Sequence, residues 1–164
     1  MGTRSDAEMR SDLSFLFDKA SQVLTVRMGA ALAELGITPR GYCVLSKALP
    51  GTLTQGELAE LGLLDKTTMV VTMDHLEQAG LARRVPSPTD RRARIVVPTE
   101  EGRLVVEKAR KLIDGLYAEV LGVLPDAGRE ALLDAMVALV GQAGPLSDGP
   151  AGAPRRSRRM ARTP

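Results

Sequence analysis

The residues with the most chemistry to offer are crowded into one short segment. Between Leu81 and Arg94 stand Arg83, Arg84, Arg91, Arg92 and Arg94 against a single acid, Asp90. Guanidinium groups hold phosphate oxygens through charge-assisted hydrogen bonds, and they suit the narrow A·T-rich minor groove, where negative potential concentrates. Upstream, Thr38-Pro39-Arg40, Thr54-Gln55 and Asp65-Lys66-Thr67-Thr68 have the form of helix starts. Free N–H groups at a helix start also favour phosphate. This is the chemistry of recognition. Bond-making chemistry has no comparable cluster: there is no Gly-rich phosphate loop and no Gly-x-Ser-x-Gly. The lone His75 and lone Cys43 do not have zinc-ligand spacing. Neither an enzyme nor a cofactor or metal is expected.

Composition points the same way. The 164 residues are 44% hydrophobic and 26% charged, which fits one compact soluble domain with tails. The only aromatics are Phe15, Phe17, Tyr42 and Tyr117, too few for stacking unpaired bases. The formal net charge of +2 is unevenly spread. Arg155, Arg156, Arg158, Arg159 and Arg162 lie near the end with no acid among them, and without them the body is net negative. Affinity for nucleic acid must therefore come from local clusters. One cysteine excludes an intramolecular disulfide framework, and no apolar run is long enough for a membrane span. A cytoplasmic protein is expected.

The elements that must position these residues can be read from periodicity and caps. Apolar positions from Leu13 to Leu35 predict a long helix over about 9–35, ended by Gly36. A second helix is predicted over about 39–49, with Thr38 as N-cap. Thr54-Gln55-Gly56-Glu57 has capping-box spacing and opens a short helix through Leu58 and Leu61. Gly62 marks a turn, Asp65 caps a helix over about 66–79, and Gly80 closes it. Two short helices joined by a tight turn have the layout of a helix-turn-helix. Strands are predicted around Leu81–Pro86 and Arg94–Pro98, with turn chemistry at Ser87-Pro88-Thr89-Asp90 between them. A long helix capped by Thr99 follows, broken at Pro125, and then a last helix through Val140. From about 144 onward the composition predicts a disordered, Arg-rich tail, which could add nonspecific affinity or be an inert extension. The fold class is thus mainly α with a small β-hairpin wing: a winged helix-turn-helix core over 37–98 and a helical dimerisation region over 1–36 and 99–143.

On a helical wheel for 66–79, Met69, Met73 and Leu76 share the buried face. Thr67, Val71, Asp74 and Gln78 lie opposite, with Val70 and His75 at the flanks. An apolar pair, Val70-Val71, on a solvent face makes sense if its methyls meet thymine methyls in a major groove. The alternative is that Val70 packs on the preceding short helix. His75 is expected to face phosphate or solvent, and Asp65 to be a cap only.

Residues 54–103 resemble the MarR family of multiple antibiotic resistance regulators. The resemblance rests on Leu53-Thr54-Gln55, Glu57-Leu58-Ala59-Glu60, Asp65-Lys66-Thr67-Thr68, Leu76-Glu77-Gln78-Ala79-Gly80-Leu81, Asp90-Arg91-Arg92-Ala93-Arg94 and Thr99-Glu100-Glu101-Gly102. It implies a homodimer on double-stranded DNA, with Arg92 in the minor groove. It also implies that Asp90 orients neighbouring wing arginines by salt bridge, while Arg83, Arg84, Arg91 and Arg94 contact phosphates. Val70-Val71 departs from the Ser-Arg often found there in the family, which removes a guanine-reading arginine. The full set of DNA-contact candidates is Arg40, Thr54, Gln55, Lys66, Thr67, Thr68, Val70, Val71, His75, Arg84, Asp90, Arg91, Arg92 and Arg94.

The resemblance further implies a ligand-responsive repressor on a pseudo-palindromic operator, with a small aromatic or phenolic effector. Arg27 is a candidate for pairing an effector carboxylate, the alternative being an ordinary interface or surface arginine. Cys43, away from the place of oxidant-sensing cysteines in relatives, is expected to be a buried structural thiol. The alternative function is an architectural or activating DNA binder without a ligand.

Overall fold

The structure is a computed structural model that describes residues 12–142, so the Arg-rich tail lies outside the described residues. The first four α-helices each begin at a side-chain cap. Asp12 accepts from the Phe15 amide at 3.0 Å and opens α1, Leu13–Leu32. A 3-10 turn, Ala33–Leu35, follows and ends in left-handed Gly36 (φ 65°). The long helix expected to reach residue 35 is therefore tightened in its last turn. Thr38 caps α2, Pro39–Lys47, with Pro39 in its first turn, where the missing N–H costs nothing.

The helix-turn-helix consists of α3, Gln55–Leu61, and α4, Lys66–Gln78. Thr54 and Glu57 complete the capping box. The Glu57 carboxylate accepts from the Thr54 amide at 2.7 Å, and Thr54 Oγ1 accepts from the Glu57 amide at 3.2 Å. That backbone bond, with the one from the Thr54 hydroxyl, holds the Glu57 carboxyl below its ordinary pKa. The turn falls at Gly62, as the sequence marks it. Gly62 has ordinary right-handed geometry (φ −91°), and the left-handed residue is Leu63 (φ 52°).

Strands β1, Ala82–Pro86, and β2, Arg94–Pro98, pair antiparallel with Arg84 opposite Val96. Their base is fixed to α3. The Val96 amide donates to the Leu53 carbonyl at 3.0 Å, and Thr54 bridges Ile95. Helix α5, Glu100–Leu121, leaves this base through a clamp at Thr99. The Thr99 amide donates to the Leu81 carbonyl (3.0 Å) and its hydroxyl to the Gly80 carbonyl (2.8 Å). The same hydroxyl oxygen accepts from the Gly102 amide at 3.0 Å.

One apolar core holds these elements. Leu32 of α1, Val44 and Leu45 of α2, Leu58 of α3, Met69, Met73 and Leu76 of α4, Val96 of β2, and Val105, Val106, Ala109 and Ile113 of α5 are all buried in it. Each fully buried aliphatic side chain of this kind contributes on the order of 1.5–3 kcal/mol. This core belongs to a compact unit that runs to Val120. A second unit begins at Leu121 and contains α6, Asp126–Gln142. Within it, Arg129 Nε donates to the carbonyls of Leu121 and Leu124 and so satisfies the chain end before Pro125. Among the described residues, no helix is long and apolar enough to cross a membrane.

Candidate nucleic-acid interface

Helix α4 turns Met69, Thr72, Met73 and Leu76 into the core, and Thr72 Oγ1 donates back to the Thr68 carbonyl at 2.7 Å. The opposite face is left to solvent. Val70 and Val71 are 44% and 46% exposed, so Val70 does not bury itself against α3. The two valines look into different concavities. A groove of about 540 Å³ between α3, α4 and the wing brings together Thr54, Gln55, Lys66, Val70, Asp90, Arg92 and Arg94. A cleft of about 750 Å³ on the other side of α4 is lined by Arg40, Thr67, Thr68, Val71 and His75, together with Cys43. The predicted residues thus straddle one helix, and Arg91 lies exposed at the wing tip beside the groove.

Several of these side chains are already committed. The Thr54 hydroxyl donates to Glu57 at 2.8 Å and the Thr68 hydroxyl to Asp65 at 2.6 Å. Asp65 is a cap, as its position suggested, and also accepts from the Thr68 amide at 2.9 Å. These two bonds, the hydroxyl first, hold its carboxyl below the usual range. Among the described residues, the charged groups of Arg40, Lys66, Arg83, Arg91 and Arg92 meet no protein acceptor. These five cations are free for an external anion.

Arg84 departs most from expectation. Instead of standing free for phosphate, its side chain is only 20% exposed and is surrounded by acceptors. Nε donates to Gln55 Oε1 at 2.9 Å, Nη1 to Glu77 at 2.5 Å, and Nη2 to the Val70 carbonyl at 3.1 Å. Nη2 also lies 2.8 Å from Asp74 Oδ1. Asp90 departs too. It makes no ion pair among the described residues, and its Oδ1 accepts from the Arg92 amide at 2.8 Å, which shapes the wing turn through the backbone. The turn is closed further by the hydroxyl of buried Ser87, which accepts from the Thr89 and Asp90 amides at 3.3 Å. Arg94 Nη1 curls back to the carbonyls of Arg91 and Ala93, leaving only part of its guanidinium free.

Sequence reading missed Asp74 and Glu77 as partners of Arg84. The available signal was their spacing with Val70, one stripe at i, i+4 and i+7 of the same helix. Arg27 pairs with Glu119 at 3.1 Å on an exposed surface and lines neither concavity. Cys43 is half-buried instead of buried.

A helix-turn-helix with a basic wing and an exposed second helix defines the class: a winged helix-turn-helix transcription regulator. Residues 32–93 match the family model described as MarR family. The chain is 30% identical over 124 residues to the organic hydroperoxide resistance transcriptional regulator of Bacillus subtilis, covering 75% of this chain and 82% of that one. Its fold matches CouR from Rhodococcus jostii RHA1 bound to p-coumaroyl-CoA (TM-score 0.68, 28% identity, 78% and 91% of the two chains). It also matches the transcriptional repressor CouR bound to a 23-mer DNA duplex (TM-score 0.75, 25% identity, 85% and 99%). The protein belongs to the MarR family of transcriptional regulators.

Proposed function

We propose that the chain is a sequence-specific repressor that binds double-stranded operator DNA as a homodimer and leaves it when a small aromatic or phenolic effector binds. The observation that carries the DNA reading is the outward face of α4. It presents Thr67, Val70 and Val71 beside the unpartnered cations Lys66, Arg91 and Arg92. Helix α4 fits a major groove, where the valine methyls meet thymine methyls. Arg92 extends from the wing to the minor groove, and Arg40, Arg83 and Arg91 neutralise phosphates. The similarity to CouR, a repressor seen on a DNA duplex, supports this reading.

Dimerisation is supported by apolar side chains that their own units leave exposed. These include Leu13, Phe17, Val23 and Val26 on α1 and, in the second unit, Leu132, Val137 and Val140 on α6. Two copies related by a twofold axis would bury such faces and present two α4 helices about one DNA turn apart. The effector reading is supported by the 750 Å³ cleft, which has α4 as one wall. A ligand there that prefers one placement of α4 shifts the population between DNA-competent and incompetent forms. Sedimentation with a duplex from the upstream region tests the assembly, and two chains per duplex is the expected result. Addition of aromatic acids and their thioesters is expected to weaken binding at least about tenfold for one of them, a coupling of roughly 1.4 kcal/mol. One chain per duplex, or affinity unchanged by every compound, contradicts the respective part.

A further inference from the structure

We infer that Arg84 is a positioning and charge-neutralising residue that makes α4 fit to approach DNA, and that it is not itself a phosphate ligand. This rests on the DNA reading given above. Three observations support it.

Arg84 binds a single stripe of α4. Its partners there are the Val70 carbonyl, Asp74 and Glu77, on successive turns of the outward-facing helix. Its own backbone amide also donates to Glu77 Oε1 at 2.7 Å, so the wing stem is held to the helix at two points. The planar fork of guanidinium suits this work, because it can face several acceptors at once where a lysine ammonium is a point charge.

Asp74 and Glu77 are carboxylates on or beside the surface that would meet a polyanion. Left unpaired, they would repel phosphates across a few ångströms of low-salt interface. Arg84 places its charge between them and removes that repulsion from the groove side.

Arg84 also orients Gln55. Its Nε donates to Gln55 Oε1, so the side-chain NH2 of Gln55 is turned away from the wing stem and remains a donor. Gln55 lines the groove that holds Lys66 and Arg92. One arginine therefore fixes the wing stem, the first turn of α3 and the exposed face of α4 in a single geometry.

The experiment compares wild type, Arg84→Lys and Arg84→Met for binding to the upstream duplex and to scrambled duplex across a salt series. A melt of each free protein sets a temperature at which all are folded. Arg84→Lys keeps the charge and cannot reproduce the fork. The expected result is a loss of about tenfold in affinity for the upstream duplex, a smaller loss for scrambled DNA, and an unchanged salt slope. Arg84→Met, which also leaves Asp74 and Glu77 unpaired, is expected to lose more, and on both duplexes. A phosphate ligand behaves oppositely in the lysine variant: Arg84→Lys stays near wild type on both duplexes, because a point charge still neutralises a phosphate. That second pattern overturns the inference. Failure of the wild-type protein to bind either duplex is a separate outcome, which overturns the DNA reading and the inference with it.

Discussion

Replacing Gly102 with alanine separates two opposed effects on stability. Gly102 lies in the first turn of α5, where alanine gains up to about 1 kcal/mol of helix propensity over glycine. Against that stands the backbone beneath it. A Cβ at Gly102 would lie 1.9 Å from the Leu81 carbonyl oxygen and 2.9 Å from its carbon. Neither atom belongs to a flexible side chain, so the start of α5 would have to lift away from the end of the α4–β1 turn by more than an ångström. That lift opens the Thr99 clamp. The bonds from the Thr99 amide to Leu81 and from its hydroxyl to Gly80 are each worth about 0.5–1.5 kcal/mol net. Overpacking of this kind costs about 1–3 kcal/mol more. With the propensity gain subtracted, the substitution should destabilise by about 1–5 kcal/mol, centred near 3. For a domain of this size that is a fall in Tm of about 10 °C. Urea and thermal melts of Gly102→Ala beside wild type measure it. A variant as stable as wild type, or more so, would refute the reasoning, because it would mean that propensity outweighs the close approach.

Three further outcomes can be checked with simple variants. Leu63→Gly relieves a left-handed backbone at a side chain that is 74% exposed, so stability should rise by up to about 1 kcal/mol in a thermal melt; an unchanged or lower Tm contradicts this. The depressed carboxyls of Glu57 and Asp65 contribute stability that is present above the ordinary carboxylate range and lost as pH falls through their lowered values. The stability advantage of wild type over Asp65→Asn in urea should accordingly be present at pH 7 and shrink below about pH 4, and a difference that does not change with pH contradicts it. Arg92→Ala removes an unpartnered guanidinium, so it should leave the free protein's stability within about 0.5 kcal/mol while weakening DNA binding at least about tenfold, with the A·T preference beside the half-site reduced.

The helix-turn-helix was legible in the sequence because its signals are local. Thr54, Glu57 and Asp65 announce helix starts within four residues of themselves, and the structure places the capping bonds there. The hairpin was legible for the same reason, with turn residues at 87–90 ahead of the β-branched run Ile95-Val96-Val97. Gly102 could be seen as part of a motif, but its cause, the Leu81 carbonyl some twenty residues back, needed the fold. The intramolecular partners of Arg84 were hidden on the same grounds. A sequence shows an arginine in a basic segment, yet whether its charge is free depends on which acids the preceding helix turns toward it. Asp74 looked outward on a wheel, and only the packing of β1 along α4 reveals that it is paired. Leu63 is a subtler case. Gly62 marks the turn in the sequence, yet its φ is right-handed; a Cβ there would lie 3.1 Å from the Leu58 carbonyl, so glycine gives clearance and the next residue takes the left-handed φ.

The central claim is that the free cations and the outward face of α4 read a DNA sequence. Binding of the purified protein to its own upstream fragment, against scrambled DNA of equal length across a salt series, tests it most directly. The account predicts a preference of about a hundredfold or more for the native fragment, with affinity falling steeply as salt rises. Equal affinity for both fragments, or no binding to either at low salt, would contradict it.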